Sequence, residues 1–460
     1  MFETKTYVNR RKKLRESLKD GLVLIMGNVD VPMNYAANTY HFRQDSNFLY
    51  FFGINHQGMA GVVDIDNDIE YLFGNDVSLE SIIWMGPQPL VKDKASRIGV
   101  ANSMPFGELA GFLKNAQKGR KIHFLPPYRA ENKILMEKLL GIPIDQLKAE
   151  ASVELIKAVV ALREIKEHEE VAEIENAIDT AWIMHTTAMK MAKPGVYERE
   201  IAGVVEGIAL GAGGTLSFPL ILSKHGETLH NHDHSNKLKA GDLLLIDGGC
   251  ETPMCYCSDH TRTVPVGGKF SQQQKEIYEI VLQANINAIE AIRPGLTFKS
   301  IHMLAIKTIG EGLKNLGLMK GNIDQAIEQA ATALFMPHGL GHMLGLDVHD
   351  MEDLGENFVG YDDEVKRSDL FGTAYLRLGK RLKPGFVLTV EPGIYFIPEL
   401  IEKWKKERKF TEFINYDKVI EYIGFGGIRI EDDVLVTENG HRVLGKPIPK
   451  TVAEIEAIMA

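Results

Sequence analysis

The chain has 460 residues, with 52 Lys and Arg against 62 Asp and Glu, which gives a formal net charge of −10. This acidic balance argues against a general binder of nucleic acid or of anionic membranes, because both need a basic face. The hydrophobic content is 45%, and no apolar run approaches the ~20 residues of a membrane span, so we expect a globular protein with no membrane partner.

The first part of the chain alternates between helical and strand-like patterns. In chain order we predict a helix over 9–20, strands over 22–26, 48–52 and 61–64, a helix over 107–115 and a strand over 121–125. This alternation predicts an α/β domain that spans residues 1–160.

A long helical stretch follows over 149–193, broken into two or three pieces, and the pattern then changes. Short apolar runs now end abruptly in a carboxylate, and two amphipathic helices lie between them, over 271–291 and 298–316. Two charged segments, 351–372 and 399–418, predict surface insertions. We therefore place a second domain over residues 161–460.

Histidines concentrate in two windows of this second domain. Residues 225–260 and 338–349 are a small part of the chain but hold eight of its 15 histidines. The densest segment is PHGLGHMLGLDVHD, where His338, His342 and His349 lie among glycines that permit close backbone approach. Neutral imidazole is both a metal ligand and a base near pH 7. The clustering favours a metal or proton-transfer site, although any single histidine here could be a hydrogen-bonded structural residue.

Four carboxylates stand at or near the ends of apolar strands. Asp247 ends LLLID, Glu391 ends VLTVE, Glu431 ends IRIE, and Asp259 lies in SDHTRT. A carboxylate that continues a buried run is costly unless it is paired or bound to a metal. We expect Asp247 and Asp259 to face each other across a β-hairpin. Taken alone, each carboxylate also fits a structural role, such as a turn, a polar hairpin edge, or an ion pair of Glu431 with Arg429.

Together with one imidazole, these carboxylates form a hard, oxygen-rich donor set that suits Mn²⁺, Mg²⁺ or Zn²⁺. Four carboxylates exceed the needs of one divalent cation, and two cations about 3.5–4 Å apart would share them. Such a pair lowers the pKa of a bridging water and polarises a carbonyl or phosphoryl oxygen. The residues therefore predict metal-assisted hydrolysis without naming the substrate.

Five motifs in this domain resemble, in the same order, the metal-ligand motifs of the "pita-bread" metallopeptidases of family M24: LLLIDGGCE, SDHTRTVP, PHGLGHMLGLDVHD, VLTVEPGIYFI and GFGGIRIEDD. That family includes aminopeptidase P, prolidase and methionine aminopeptidase. FRQDSNFLYFFGI resembles the extra N-terminal domain of aminopeptidase P and prolidase. The resemblance implies an α/β N-terminal domain of the ribonuclease H-like, creatinase N-terminal type. An α+β pita-bread catalytic domain would follow it, and the protein would be an Xaa-Pro peptidase.

The resemblance implies two divalent metal ions, Mn²⁺ first with Zn²⁺ or Co²⁺ as alternatives, and five ligands for them: Asp247, Asp259, His342, Glu391 and Glu431. Asp259 and Glu431 would bridge the two ions. Glu391 would also be the general base toward a bridging water, which would attack the substrate as hydroxide.

The resemblance also implies residues that contact substrate or orient the ligands. His230 and His349 would be the substrate-side histidines, and His349 would stabilise the tetrahedral intermediate. Thr261 and Arg429 would orient ligands. Arg377, in YLRLGKRLKPG, resembles the prolidase arginine that binds the proline carboxylate of a dipeptide, and the alternative is a basic residue in a surface loop.

One spacing departs from the family, because the first two ligands are 12 residues apart where relatives usually show 11. We expect a loop or bulge in ETPMCYCS to absorb the additional residue. The chain's three cysteines, Cys250, Cys255 and Cys257, lie in or beside this stretch and are not expected to bind metal. They are too few to cross-link a fold of this size, which predicts a reducing compartment, the cytoplasm.

The leading hypothesis is thus an enzyme that cleaves proline-containing di- or oligopeptides, with the prolidase type favoured and a homodimer or homotetramer expected. The alternative within the family is aminopeptidase P, which acts on longer peptides. A non-catalytic binding protein on the same fold and a metal-independent amidinohydrolase such as creatinase are remote, because both lack the full ligand set. Hydrolysis of phosphotriesters stays open as a side reaction of the same metal chemistry.

Overall fold

The computed structural model describes all 460 residues, which form two compact units. Unit 1 comprises residues 1–163 and 353–358, and unit 2 comprises residues 164–352 and 359–460. No helix in either unit is both long enough and apolar enough to cross a membrane.

Unit 1 is built around a five-stranded sheet. Its elements up to residue 163 are, in chain order, α1 (Thr4–Ser17), β1 (Leu22–Met26), β2 (Pro32–Tyr35), β3 (Asn38–Thr39), α2 (Ser46–Phe52), β4 (Ala60–Asp64), β5 (Ile69–Gly74), α3 (Leu79–Met85), α4 (Val91–Arg97), β6 (Asn102–Pro105), α5 (Leu109–Gln117), β7 (Ile122–Phe124), α6 (Ala130–Leu140), α7 (Leu147–Glu150) and α8 (Val153–Arg163). The strands pair in the order β6-β5-β4-β1-β7, with β1 antiparallel to β4 and parallel to β7. This mixed sheet with its helices confirms the α/β class predicted for the N-terminal part.

Strand β1 forms from LVLIM, and all five of its residues are buried. Both faces of the strand are therefore covered, which explains why its sequence is continuously apolar and does not alternate. The predicted strand over 22–26 is confirmed. The helix predicted over 9–20 lies at 4–17 instead. Its Arg11 is buried and donates to Glu70 Oε2 (2.7 Å) and to the carbonyl oxygen of Phe51 (2.8 Å).

The strand predicted over 48–52 is wrong, because this segment forms helix α2. The Asp45 side chain accepts a hydrogen bond from Phe48 N and caps the first turn, and Gly53 ends the helix in the left-handed conformation. All but one of the α2 residues are buried, so its aromatic run shows neither helical nor strand periodicity. For such short apolar runs the capping residues, and not the hydrophobic pattern, distinguish a helix from a strand.

Unit 2 combines long helices with short strands. The elements after residue 163 are, in chain order, α9 (His168–Met191), α10 (Glu198–Gly211), β8 (Ile221–Ser223), β9 (Leu243–Asp247), β10 (Thr261–Pro265), α11 (Gln272–Ala291), α12 (Phe298–Asn315), α13 (Ile323–Glu328), α14 (Glu356–Val359), β11 (Val387–Val390), β12 (Gly393–Tyr395), α15 (Pro398–Lys406), α16 (Tyr416–Val419), β13 (Gly427–Arg429), β14 (Asp432–Val436), β15 (His441–Val443) and α17 (Val452–Ile458). The long helices pack as two pairs, α9 with α10 and α11 with α12.

Three antiparallel sheets bring the strand ends of unit 2 together. The strand orders are β10-β9-β8, β11-β14-β15 and β12-β13, and β13 also contacts β9 and β10. Helix α11 packs against β11, β12, β13 and β15. The arrangement agrees with the α+β class predicted for the catalytic part, and it places the ends of β9, β11 and β13 close to one another.

The segment 399–418 is only partly the surface insertion that its charges predicted. It contains most of α15, which buries Ile401 and Trp404 while its lysines stay exposed. The helix is therefore amphipathic and contributes to the fold of unit 2.

Candidate metal and substrate site

Asp247 and Asp259 lie beside each other in one β-hairpin. Asp247 is the last residue of β9 and pairs with Thr261, the first residue of β10, whereas Asp259 lies two residues before β10. The two aspartates therefore face each other across the hairpin as expected, with an offset of two residues from a direct pair. Asp259 is diagonal to Asp247 on the same face of the ladder, a spacing that still allows side chains to interact.

The additional residue between these aspartates is taken up in the hairpin turn. Glu251 forms an isolated bridge with Cys257 in the same register as β9 and β10, so the register does not shift before the turn. Cys255 lies in the turn with φ of 66°, in the left-handed region that tight turns use. All three cysteines are buried and none lines the cavity described below.

His342, Glu391 and Glu431 converge on the same place from other elements. Glu391 follows the last residue of β11, and Glu431 lies between β13 and β14. The His342 Nε2 atom is 3.4 Å from Asp259 Oδ2 and 3.6 Å from Glu391 Oε1. Asp259, His342 and Glu431 each offer a ligand atom within 4.8 Å of the other two. Such a group of buried carboxylates and one imidazole can hold a metal ion.

The orientation of the His342 ring is set by the backbone. Its Nδ1 lies 3.0 Å from the carbonyl oxygen of Met343, which can only accept a hydrogen bond. In the neutral ring the proton therefore resides on Nδ1, and the lone pair of Nε2 points toward the carboxylates of Asp259 and Glu391. Metal-binding histidines are commonly held in this way.

Burial makes the negative charges of this site unfavourable without a cation. Burial and the nearby Asp247 raise the pKa of Asp259 well above its usual range, and burial and the nearby Asp259 do the same for Glu431. Burial raises the pKa of Glu391 to about 7. In addition, Asp247 Oδ1 and Asp259 Oδ1 are buried without a hydrogen-bond partner. One or two divalent cations would satisfy these oxygens, so the residues fit the metal centre that the sequence predicted.

Thr261 and Arg429 connect the carboxylates to one another. Thr261 Oγ1 donates to Glu431 Oε2 at 2.6 Å and accepts from Arg429 Nε at 3.1 Å. The same guanidinium group donates to Asp247 Oδ2 and, at 2.8 Å, to the hydroxyl oxygen of Tyr395. Arg429 is only 4% exposed. It therefore places a permanent positive charge beside the carboxylates and fixes the Asp247 side chain.

A cavity of about 770 Å³ opens over these residues within unit 2. Of the ten predicted site residues, Thr261 alone does not line it. The nine that do are His230, Asp247, Asp259, His342, His349, Arg377, Glu391, Arg429 and Glu431. Apolar side chains form much of the remaining wall: Phe218, Ile221, Leu229, Phe371, Ile397 and Leu400. A mostly apolar cavity with converging polar groups is the usual form of a small-ligand site.

His349 lies beside two charged residues that can orient its ring. Its Nδ1 is 2.5 Å from Glu352 Oε2 and 3.2 Å from Arg377 Nε, and its ring centroid is 4.2 Å from that of His342. The hydrogen bond with His349 lowers the pKa of Glu352 to about 2, and burial lowers that of His349 to about 4. The short contact favours a proton on Nδ1 that is donated to Glu352, and Arg377 Nε then pairs with the same Glu352 oxygen at 3.4 Å and not with the ring nitrogen.

His230 lies in a segment without helix or strand, residues 224–236, whose ends a single side chain holds. The buried Glu198 of α10 accepts hydrogen bonds from Lys224 N (2.7 Å) at one end and from Asn236 Nδ2 (2.9 Å) at the other. The position of His230 in the cavity thus depends on an anchor outside the cavity.

Sequence reasoning missed three residues that the structure connects to the site: Glu352, Tyr395 and Glu198. Tyr395 is fully buried, and its hydroxyl group contacts both Arg429 and, at 2.9 Å, His338 Nε2. A tyrosine in a buried strand needs a partner for its hydroxyl group, so the tyrosine in GIYFI could have been predicted to contact a polar residue of the site. Glu352 and Glu198 gave no comparable signal, because their partners are distant in sequence or lie in loops.

Comparisons with known proteins address the family directly. Residues 172–438, more than half of the chain, match the profile described as Metallopeptidase family M24. The chain belongs to this family. Residues 7–124 match a second profile, described as Aminopeptidase P, N-terminal domain.

Curated relatives carry two different activity names. The human Xaa-Pro dipeptidase is 31% identical over 459 residues, which cover 98% of this chain and 91% of the human protein. The Xaa-Pro aminopeptidase of Escherichia coli strain K12 is 32% identical over 466 residues, which cover 98% and 97% of the two chains. Among solved structures, E. coli aminopeptidase P in complex with substrate has a TM-score of 0.82 at 29% identity, covering 100% of this chain and 98% of that one.

These matches confirm the predicted family, fold class and enzyme class. The chain is a metallopeptidase of the Xaa-Pro branch, with an aminopeptidase P type N-terminal domain and an M24 catalytic domain. The relatives include both dipeptidases and aminopeptidases at similar identity, so the choice between these two activities has to come from the site itself.

Proposed function

We propose that this M24 metallopeptidase hydrolyses Xaa-Pro dipeptides, as a prolidase. Its family and its relatives support action on a bond that precedes proline. The observation that favours a dipeptidase is Arg377, which lines the same cavity as the candidate ligands and lies next to His349. A guanidinium group at this place suits the free carboxylate that only a dipeptide presents directly after its proline ring.

The proposed ligands of two divalent ions are Asp247, Asp259, His342, Glu391 and Glu431. Their support is the group of buried carboxylates, the two aspartate oxygens without hydrogen-bond partners and the preset Nε2 of His342. When bound, the ions would supply an activated water and polarise the scissile carbonyl group. The oxygen-rich donor set favours Mn²⁺, and zinc is the first alternative, since a structure of zinc-substituted E. coli aminopeptidase P is known.

The chain's own residues move the protons of the reaction. Glu391, whose Oε1 lies 3.6 Å from His342 Nε2 in the proposed ligand group, is suited to accept a proton from the attacking water on one carboxylate oxygen and to pass it on to the leaving nitrogen. The prolyl nitrogen needs that proton to leave as the amine of proline and not as an anion. His349, whose ring Glu352 orients through Nδ1, is proposed to face the developing oxyanion.

The second candidate is an aminopeptidase P that acts on longer peptides. The cavity volume of about 770 Å³ favours it, because such a volume lies in the upper part of the range for pockets that hold drug-sized ligands. A dipeptide would leave part of this space to water. The similarity to E. coli aminopeptidase P structures points the same way.

Replacing Arg377 distinguishes the two candidates. With Mn²⁺-loaded enzyme, kcat/KM should be higher for Gly-Pro than for Gly-Pro amide, which lacks the carboxylate. In Arg377→Gln this preference should disappear, through a loss of roughly 10- to 100-fold on Gly-Pro alone, the range expected for a hydrogen bond to a charged group. Arg381→Gln is the matched control, because Arg381 is exposed, binds Glu364 and does not line the cavity.

Three results of that assay would contradict parts of the proposal. A wild-type preference for Gly-Pro-Yaa tripeptides that Arg377→Gln does not change would replace the dipeptidase by an aminopeptidase. No difference between Gly-Pro and its amide would remove the role of Arg377. Absence of metal-dependent cleavage of any of these peptides would contradict the peptidase activity as a whole.

We also propose a cytoplasmic location and a homodimer or homotetramer. The chain has only three cysteines, all buried and too few to cross-link a fold of this size, which supports a reducing compartment. Four apolar residues of helix α3 are each more than 70% exposed: Leu79, Ile83, Trp84 and Met85. Such an apolar surface is unusual on a monomer, which supports an oligomer. Sedimentation equilibrium of the wild type and of an Ile83→Lys, Trp84→Lys variant measures the oligomeric state, and a monomeric wild type would contradict it.

A further inference from the structure

The loop between residues 342 and 350 carries two proposed site residues near its two ends. His342 is a proposed ligand and His349 a proposed substrate-side residue, and their ring centroids are only 4.2 Å apart. The loop contains no helix or strand of its own. Backbone hydrogen bonds hold its first residues to β11, from Thr389 N to the carbonyl oxygen of His342 and from Leu344 N to that of Val387. The relative position of the two rings therefore depends on what ties the rest of the loop to this part.

Asp350 holds this loop together from the inside. Its Oδ1 accepts a hydrogen bond from Asp347 N at 3.3 Å, and its own backbone N donates to the carbonyl oxygen of Met343 at 2.9 Å. Its Oδ2 lies 2.7 Å from Lys166 Nζ, and both side chains are 1% exposed. Asp350 therefore joins both parts of the loop to a lysine more than 180 residues earlier in the chain.

Lys166 is itself tied to the strand that leads to Glu391. It precedes α9, and its backbone N donates to the carbonyl oxygen of Gly385 at 2.8 Å, just before β11. The loop backbone lies directly on the ion pair, since a Cβ atom at Gly345 would approach Asp350 Oδ2 to 2.7 Å and Lys166 Cε to 2.8 Å. The pair thus links the loop to the start of β11. The proposed general base, Glu391, directly follows the last residue of that strand.

We propose that the buried Lys166–Asp350 ion pair is a positioning device that sets His342 and His349 against the carboxylates. Neither residue of the pair lines the cavity, so both act through the loop and not on the substrate. Buried ion pairs add little to stability compared with well-packed apolar side chains, whereas their directional bonds fix geometry. The proposal rests on the roles proposed above for His342 and His349.

The test compares single and paired replacements in the full-length enzyme. Asp350→Asn and Lys166→Met each remove one charge of a buried pair and should lower Tm. The double variant Lys166→Met, Asp350→Leu removes both charges and should recover most of that Tm, while the bond between Asp350 and Asp347 N stays lost. Its kcat should nevertheless fall roughly 10- to 100-fold at saturating Mn²⁺, with a weaker Mn²⁺ Kd by titration calorimetry, as expected when partners that orient a ligand are removed.

A buried ion pair in unit 1 gives the matched control. The Glu70 carboxylate binds the buried Arg11 at 2.7 Å, and Glu70→Gln should lower Tm without changing kcat or the Mn²⁺ Kd. A double variant at Lys166 and Asp350 with wild-type kcat and wild-type Mn²⁺ Kd would overturn the proposal. So would a loss of kcat in Glu70→Gln as large as that in Asp350→Asn, because activity would then only follow stability.

One further variant separates this proposal from the one on which it rests. If His342→Ala loses Mn²⁺ binding while the double variant binds like the wild type, only the positioning role is wrong. If His342→Ala keeps the wild-type Mn²⁺ Kd, the proposed ligand set is wrong, and the positioning role fails with it. Mn²⁺ affinity is measured without any peptide substrate in both cases.

Discussion

At the scale of single residues, the hydroxyl group of Thr261 connects a carboxylate to the buried arginine. It donates to Glu431 Oε2 at 2.6 Å and accepts from Arg429 Nε at 3.1 Å. Thr261→Val keeps the shape and removes both bonds, so the Mn²⁺ Kd should weaken roughly 10- to 100-fold in titration calorimetry. Thr263→Val is the control, because Thr263 is equally buried on the same strand and bonds only backbone atoms of Arg429. Equal Kd changes in both variants would contradict a specific role for Thr261.

The sequence allowed the carboxylates to be predicted but not everything that orients them. Asp247, Glu391 and Glu431 could be identified because a charge at the end of an apolar strand is anomalous on its own. The hairpin of Asp247 and Asp259 could be predicted, but not the offset of two residues between them, since the register depends on where the turn lies. Partners such as Glu352 are ordinary surface-type residues in the sequence, and only the folded loop brings this one to 2.5 Å from His349 Nδ1.

At the scale of secondary-structure elements, Glu198 on α10 determines where the segment with His230 lies. Its two oxygens accept four hydrogen bonds, two from Ser223 and Lys224 and two from Asn236. In Glu198→Gln an amide NH₂ group would face these donors, so the segment should loosen. We expect KM for Gly-Pro to rise roughly tenfold, equivalent to about 1.4 kcal/mol, with an unchanged Mn²⁺ Kd, because no proposed ligand lies in the segment.

Glu200→Gln on the same helix provides the comparison. Glu200 bonds only Tyr197 N in the helix cap, so the variant should lose some stability and keep its KM. A raised KM in both variants would mean that helix α10 as a whole, and not the anchor at Glu198, controls the segment.

Single polar residues also decide secondary structure elsewhere in the chain. At 48–52 the prediction from sequence was wrong because a capping residue, and not the apolar pattern, determines the helix.

At the scale of the whole molecule, the buried carboxyl groups should make the metal-free fold less stable in alkali. In the folded state, burial and nearby carboxylates raise the pKa values of Asp259 and Glu431 well above the usual range. Burial raises the pKa of Glu391 to about 7. In the unfolded chain such groups titrate near 4. The folded state therefore holds protons that the unfolded state has released, and the free energy of unfolding falls as pH rises through about 7.

Buried histidines act in the opposite direction below this range. Burial lowers the pKa of His185 to about 4 and that of His338 to about 3, whereas an unfolded histidine titrates near 6.5. Their contribution to stability is present above about pH 6.5 and is lost as the pH falls toward their folded-state values. Tm of the metal-free protein should thus decrease as the pH rises above about 6.5, where the histidines no longer offset the carboxyl groups, which differential scanning calorimetry between pH 5 and 9 measures.

Bound cations should remove the alkaline loss, because they stabilise the ionised carboxylates. The increase in Tm on adding Mn²⁺ should therefore be larger at pH 8.5 than at pH 6.5, in line with the general release of protons from ligands on metal binding. Glu431→Gln sharpens this prediction, since it removes one of the like charges while its amide oxygen can still accept from Thr261. The metal-free variant should be more stable than the metal-free wild type at pH 8.5, yet gain less Tm from Mn²⁺. A variant that is less stable than the wild type both with and without Mn²⁺ would show that Glu431 is structural. A metal ligand, in contrast, destabilises the metal-free fold and stabilises the metal-bound one.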